Sequence, residues 1–159
     1  MHIWTIEKWK KVFDEHLCRS GLYLRCEKEV EEEVRIACKE FAKWLRSEYY
    51  FPVKVVVYIK SCVYLNTQDK DIAVGTFFEP YDYTQEPFIR IATGDYKELK
   101  ESIGRDNALA SILKCMAHEL THYFQWINSL KLTEMGRERQ ASQYSRFIMD
   151  EYSETREHP

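Results

Sequence analysis

Met116-Ala117-His118-Glu119-Leu120-Thr121-His122-Tyr123 is the stretch on which the reading of this chain turns. Its His-Glu-x-x-His spacing suits a helix, where residues four apart are neighbours on one face. His118 and His122 can then each aim a ring nitrogen at a common zinc ion about 2.0 to 2.1 Å away. Glu119 flanks that point. A carboxylate there can take a proton from a zinc-bound water, whose pKa the metal brings down to about 7, and pass it to a leaving amine.

A helical projection separates the histidines from the core. Leu109, Ile112, Leu113, Met116, Leu120, Tyr123, Phe124 and Ile127 gather on one side, the apolar stripe of a core helix. His118 and His122 share the other side with Ser111, Lys114 and Gln125, so a purely core role for the imidazoles is disfavoured. A catalytic zinc site needs a third protein ligand and one open position. Glu134 and Glu138 both follow the connection Ser129-Leu130-Lys131-Leu132, which is long enough to return a second helix against the first. Glu138 is the better ligand: its helical neighbours Ala141, Ser142 and Ser145 are small and permit close approach, whereas Glu134 sits in the first turn and serves the helix dipole.

His118-Glu119-Leu120-Thr121-His122 followed by Glu138-Arg139-Gln140-Ala141-Ser142 resembles the gluzincin zinc peptidases, and the chain's small size is similar to that of the minigluzincins. The likeness covers the two helices well and the preceding half only in order of elements. It implies a zincin-like fold, zinc on His118, His122 and Glu138, peptide hydrolysis with Glu119 as general base and acid, and an edge strand that pairs with an extended substrate. The tail Ser153 to Pro159 is polar, lacks an apolar anchor and reads first as a frayed end; the resemblance also implies that a terminal segment can hold the enzyme latent, here through the tail's histidine and a carboxylate. The larger gluzincins commonly place an Asp four residues after the ligand glutamate. This chain has Ser142 there, so another group must orient a ligand histidine. The alternative to an active peptidase is a latent or non-catalytic zinc-binding module with a regulatory or protein-binding role; the presence of Glu119 argues for activity.

The 159 residues suit one domain, 1–159, with its own core. A formal charge of -3 with interspersed signs leaves no basic footprint for nucleic acid. The N-terminus carries charge among its first apolar residues and reads as neither a secretory signal nor a membrane span, which makes the cytoplasm the expected compartment and a peptide or protein substrate the expected partner. Cys18, Cys26, Cys38, Cys62 and Cys115 lack paired metal-site spacing and are expected as reduced thiols, with Cys115 packing beside the metal face.

The remaining pattern predicts an α+β fold. An amphipathic helix over Trp4 to Leu17 is expected from Trp9, Phe13 and Leu17, and a backing helix from Glu27 to the stop at Pro52 from Val30, Val34, Ala37, Phe41 and Trp44. Three strands follow in a small antiparallel or mixed sheet. Val53–Ile59 is expected to be buried on nearly both sides, Asp71–Glu79 comes second, and Pro87–Ala92 comes third, bordering the cleft as its edge. Asp95 with Glu98 resembles a capping box for a short helix ending at Gly104, and Asp106 or Asn107 is placed to cap the metal-binding helix.

Overall fold

The computed structural model describes residues 2–11, 19–67 and 72–159. Strands β1 (Leu22–Cys26), β2 (Val55–Lys60), β5 (Gly75–Phe78) and β6 (Phe88–Ala92) form a mixed sheet in the order β1-β2-β6-β5, and β3 (Leu65–Asn66) pairs with β4 (Ile72–Ala73) in a separate two-stranded ribbon. The described helices are α1 (Glu32–Glu48), α2 (Tyr96–Ile103), α3 (Arg105–Ile127) and α4 (Glu134–Ser153). The architecture is α+β, as expected.

Strands β1 and β2 are parallel with Leu22 opposite Val55, and α1 makes the crossover between them. The crossover forms because Val34, Ala37, Cys38, Phe41, Ala42 and Leu45 stack on one face of α1 at helical spacing, and all are buried. In β2 the side chains alternate: Val55, Val57 and Ile59 are fully buried while Val56, Tyr58 and Lys60 are half-buried, so only one face lies in the core. Strand β6 adds Ile89 and Ile91 to that face. Tyr123 ties the sheet entry to α3, accepting from Val53 N and donating to Val53 O at 2.6 Å.

Several expectations change at this level. Leu22–Cys26 is a strand that the reading omits, although Leu22, Leu24 and Cys26 alternate with Tyr23 and Arg25. The helix expected over Trp4 to Leu17 is, within the described residues, a turn followed by a 3-10 helix at Lys8–Lys11; Phe13 and Leu17 lie outside those residues. Its apolar side chains still pack, because Ile3, Trp4 and Trp9 are buried against the core. Helix α1 begins at Glu32 and ends at Glu48, before Pro52. The second predicted strand divides at Val74 into β4 and β5, since β4 turns away to pair with β3.

The sheet edge also moves. Strand β6 is paired on both sides, parallel to β2 and antiparallel to β5, so β5 is the edge strand. The reason is side-chain content: β6 carries Ile89 and Ile91 into the core, whereas β5 offers Gly75 and Thr76 and has no fully buried residue. The capping box does not form either. Asp95 makes no side-chain cap bond, Gly104 at φ 88° both ends α2 and starts α3, and Asn107 instead donates to Ile103 O at 2.9 Å. No helix among the described residues is long and apolar enough to cross a membrane.

Candidate metal centre

Helix α3 carries His118 and Glu119 to the floor of a cavity of about 700 Å³ between α4 and the β4–β5 segment, with His122 one turn further on. The N-terminal segment holds α3 from behind. Trp4 Nε1 donates to Thr121 Oγ1 at 3.1 Å, Trp9 N donates to Asn128 Oδ1 and Asn128 Nδ2 donates to Ile3 O. Trp4 also stacks on Phe124 with ring centroids 4.8 Å apart. Two turns of α3 are thereby fixed on the side away from the cavity.

Helix α4 returns after the connection that ends at Thr133, whose side chain caps it by accepting from Gly136 N at 3.0 Å. Ala141 and Ser145 are buried against α3, as the small-residue argument requires. This brings Glu138 between the two histidines: Oε2 lies 3.0 Å from His118 Nε2 and Oε1 lies 3.0 Å from His122 Nε2. The three residues present ligand atoms within 4.8 Å of one another. A tetrahedral ion with bonds of about 2.0 to 2.1 Å separates its donors by about 3.3 Å, close to these spacings. Glu134, the other carboxylate considered, is exposed and reaches toward Arg137 at 3.9 Å instead.

Gln125 settles which nitrogen of His122 is bare. Its Nε2 donates to Arg137 O at 3.1 Å and to Gln140 Oε1 at 2.9 Å, and since a backbone carbonyl only accepts, the amide nitrogen must point that way. Gln125 Oε1 therefore faces His122 Nδ1 at 2.8 Å and accepts its proton. A neutral His122 then turns an unprotonated Nε2 toward a carboxylate oxygen 3.0 Å away. Two acceptors at that separation need a cation between them, a proton or a metal. Gln125 also answers what orients a ligand histidine where Ser142 stands in place of an acid.

The electrostatics agree with a cation site. Burial pushes the Glu119 carboxyl up to about 8, and the nearby Glu138 carboxylate adds to the rise. Burial lowers His122, favouring the neutral ring that a metal ligand must be. His122 is 5 % exposed because α4 covers it, so the histidine face of α3 divides: His118 looks into the cavity while His122 lies beneath α4.

The edge strand passes directly over Glu119. A Cβ on Gly75 would stand 2.7 Å from Cys115 Sγ and 3.1 Å from Glu119 Oε1, so only glycine allows this approach. Cys115 is a neutral packing thiol, pushed up to about 12 by burial and by Glu119, and stands outside the three-ligand cluster. Cys26, Cys38 and Cys62 are free thiols as well, and Cys18 lies outside the described residues. The C-terminal segment makes its contacts away from the cluster. The Arg156 guanidinium lies 3.9 Å from the Tyr152 ring centroid, and His158 Nδ1 meets Asp106 Oδ2 at 2.6 Å. Asp106 is twelve residues before His118 on α3, about 18 Å along the axis. The tail histidine is engaged there rather than at the metal cluster.

Compared with protein-family models, curated proteins and solved structures, the chain has no match in any of the three.

Proposed function

We propose that the chain is a zinc-dependent peptidase with a zincin-like, gluzincin-type centre, in which His118, His122 and Glu138 hold the metal and Glu119 moves the proton. The observation that carries this reading is the bare His122 Nε2 facing the Glu138 carboxylate at 3.0 Å, with His118 Nε2 on the other carboxylate oxygen at the same distance. The donor set of two neutral imidazoles and one carboxylate leaves a fourth position open toward the cavity, the composition of catalytic zinc sites. Zinc bound there supplies a Lewis acid for the scissile carbonyl and lowers the pKa of a water to about 7.

The chain's own groups account for the rest. Glu119, buried and held beside β5, is the residue placed to accept the nucleophile's proton and return it to the departing amine. An extended peptide can lie antiparallel on the free edge of β5 by main-chain hydrogen bonds, which sets its carbonyl over the metal cluster. Tyr64 lines the same cavity and brings a phenol hydroxyl to it, a donor of the type that serves a developing oxyanion.

The test is Glu119→Gln in the full chain. The amide keeps the shape but cannot take a proton, so the variant retains the fold and zinc while cleavage of unstructured peptides falls by about 10²- to 10⁴-fold. A folded, zinc-loaded parent that cleaves nothing in a broad peptide panel overturns the peptidase reading in favour of a zinc-binding module.

A further inference from the structure

We propose that the part of the cleft on the N-terminal side of His118 receives a carboxylate on the leaving-group side of the bound peptide, so that the substrate class is peptides acidic beyond the scissile bond. The inference rests on the peptidase reading for its orientation.

Its first support is the direction of the edge strand. Gly75 lies beside Cys115 and Glu119, while Phe77 lies near Trp126 with ring centroids 6.3 Å apart, so β5 runs in the same sense as α3. A peptide antiparallel to β5 therefore directs its C-terminal half toward Val74, Lys114 and Ser111. That half is what departs when the carbonyl over the metal is attacked.

The second support is the chemistry of the cavity at that end. Lys114 is one turn before His118 on the same face of α3, about 6 Å along the axis. Arg146 lies two turns beyond Glu138 on α4, which runs back alongside. Both line the cavity together with Ser111, Ser142 and Ser145. Ser145 spends its proton on Ser142 O at 2.8 Å. Among the described residues, neither Lys114 nor Arg146 has a carboxylate within ion-pair distance, and the acids on this lining, Glu119 and Glu138, belong to the metal centre. At this end two cations without a carboxylate partner and small hydroxyls offer hydrogen-bond donors and positive charge, which suits a carboxylate and not a lysine side chain. The opposite end differs. The cavity of about 690 Å³ past Phe78 carries Glu79 and Asp82 beside Lys131 and Arg137, a mixture that selects neither sign.

Two sources can bring that carboxylate, an Asp or Glu side chain or the peptide's own C-terminus. The experiment uses zinc-loaded Glu119→Gln protein and fluorescein-labelled alanine-based peptides carrying one Glu, Lys or Leu with amidated ends, plus an all-alanine peptide with a free or amidated C-terminus. Binding is read by anisotropy. The Glu peptide is expected to bind about tenfold tighter than the Lys peptide, and Lys114→Glu/Arg146→Glu in the same background is expected to reverse that order at unchanged zinc content. If only the free C-terminus confers the gain, the chain end is the source and the carboxylate site stands. Equal affinities throughout, an apolar preference, or a Glu preference that survives the double reversal overturns the proposal. Cleavage assays on the parent separate the two claims: cleavage without charge preference removes this inference alone, and charge-selective binding without cleavage removes the peptidase reading and, with it, the leaving-group assignment, leaving the carboxylate site.

Discussion

In the proposed metal centre Gln125 is a supporting residue that would touch no metal. It locks the tautomer of His122, and such supporting partners typically change metal affinity by about 10- to 100-fold when removed. Gln125→Leu is therefore expected to weaken zinc binding by about that factor in competition with a chromophoric chelator; parent-like affinity would show that the tautomer argument fails. Gly75 acts through the other wall. A methyl there must displace Cys115 Sγ or the Glu119 carboxylate, and misplacement of a reacting group by about 1 Å can cost about 10²-fold. Gly75→Ala should lower kcat/KM by about 10- to 100-fold, and adding Cys115→Ala should restore part of it. A Gly75→Ala enzyme as fast as the parent would deny that β5 positions Glu119. The pairing of His118 with His122 is legible in the sequence, because four-residue spacing on a helix brings side chains together in any context, and Glu138 is reached from the small residues Ala141, Ser142 and Ser145 beside it. Gln125 carried a weaker signal. It shares the histidine face and stands three residues after His122, but that its acceptor side meets the ring depends on Arg137 and Gln140 of α4, which no local pattern encodes.

Among the elements, one acid ties α1 to both α2 and α3. Glu33, in the first turn of α1, accepts from Tyr96 and Lys100 of α2 and from Arg105 at the start of α3. The hydrogen bonds from Lys100 and Tyr96 hold its carboxyl down at about 2. A depressed folded-state pKa stabilises above the unfolded value, and the contribution is lost as pH falls through the range from about 4.5 to about 2. Glu33→Gln is expected to lower the urea midpoint at pH 7, measured with chelator in both samples, and the gap from the parent should narrow as pH falls below about 4.5. A gap that stays constant across that range would refute the assignment. The sequence marks Glu33 only as part of an acidic run in a first turn, and its partners are more than sixty residues away. The same limit explains the strands. Val55–Lys60 and Phe88–Ala92 are readable from β-branched content, but which is central and which is edge follows from pairing, and Leu22–Cys26 has no β-branched residue to mark it before a strong helix.

At the scale of the molecule, the parallel pair with its crossover helix provides a platform, and two long helices close on each other across the metal cluster. A ligand that binds only the folded form stabilises it, by about 2.7 kcal/mol when its free concentration is about 100 times Kd. Because α3 contributes two ligands and α4 the third, the metal would fasten the C-terminal helix to the helix before it. All of this depends on one assignment, that Glu138 and not Glu134 completes the site. Elemental analysis of purified parent, His118→Ala, Glu138→Ala and Glu134→Ala proteins tests it directly. The account predicts about one zinc per chain in the parent and in Glu134→Ala and a large loss in the other two; undiminished zinc in Glu138→Ala, or loss in Glu134→Ala alone, would contradict it.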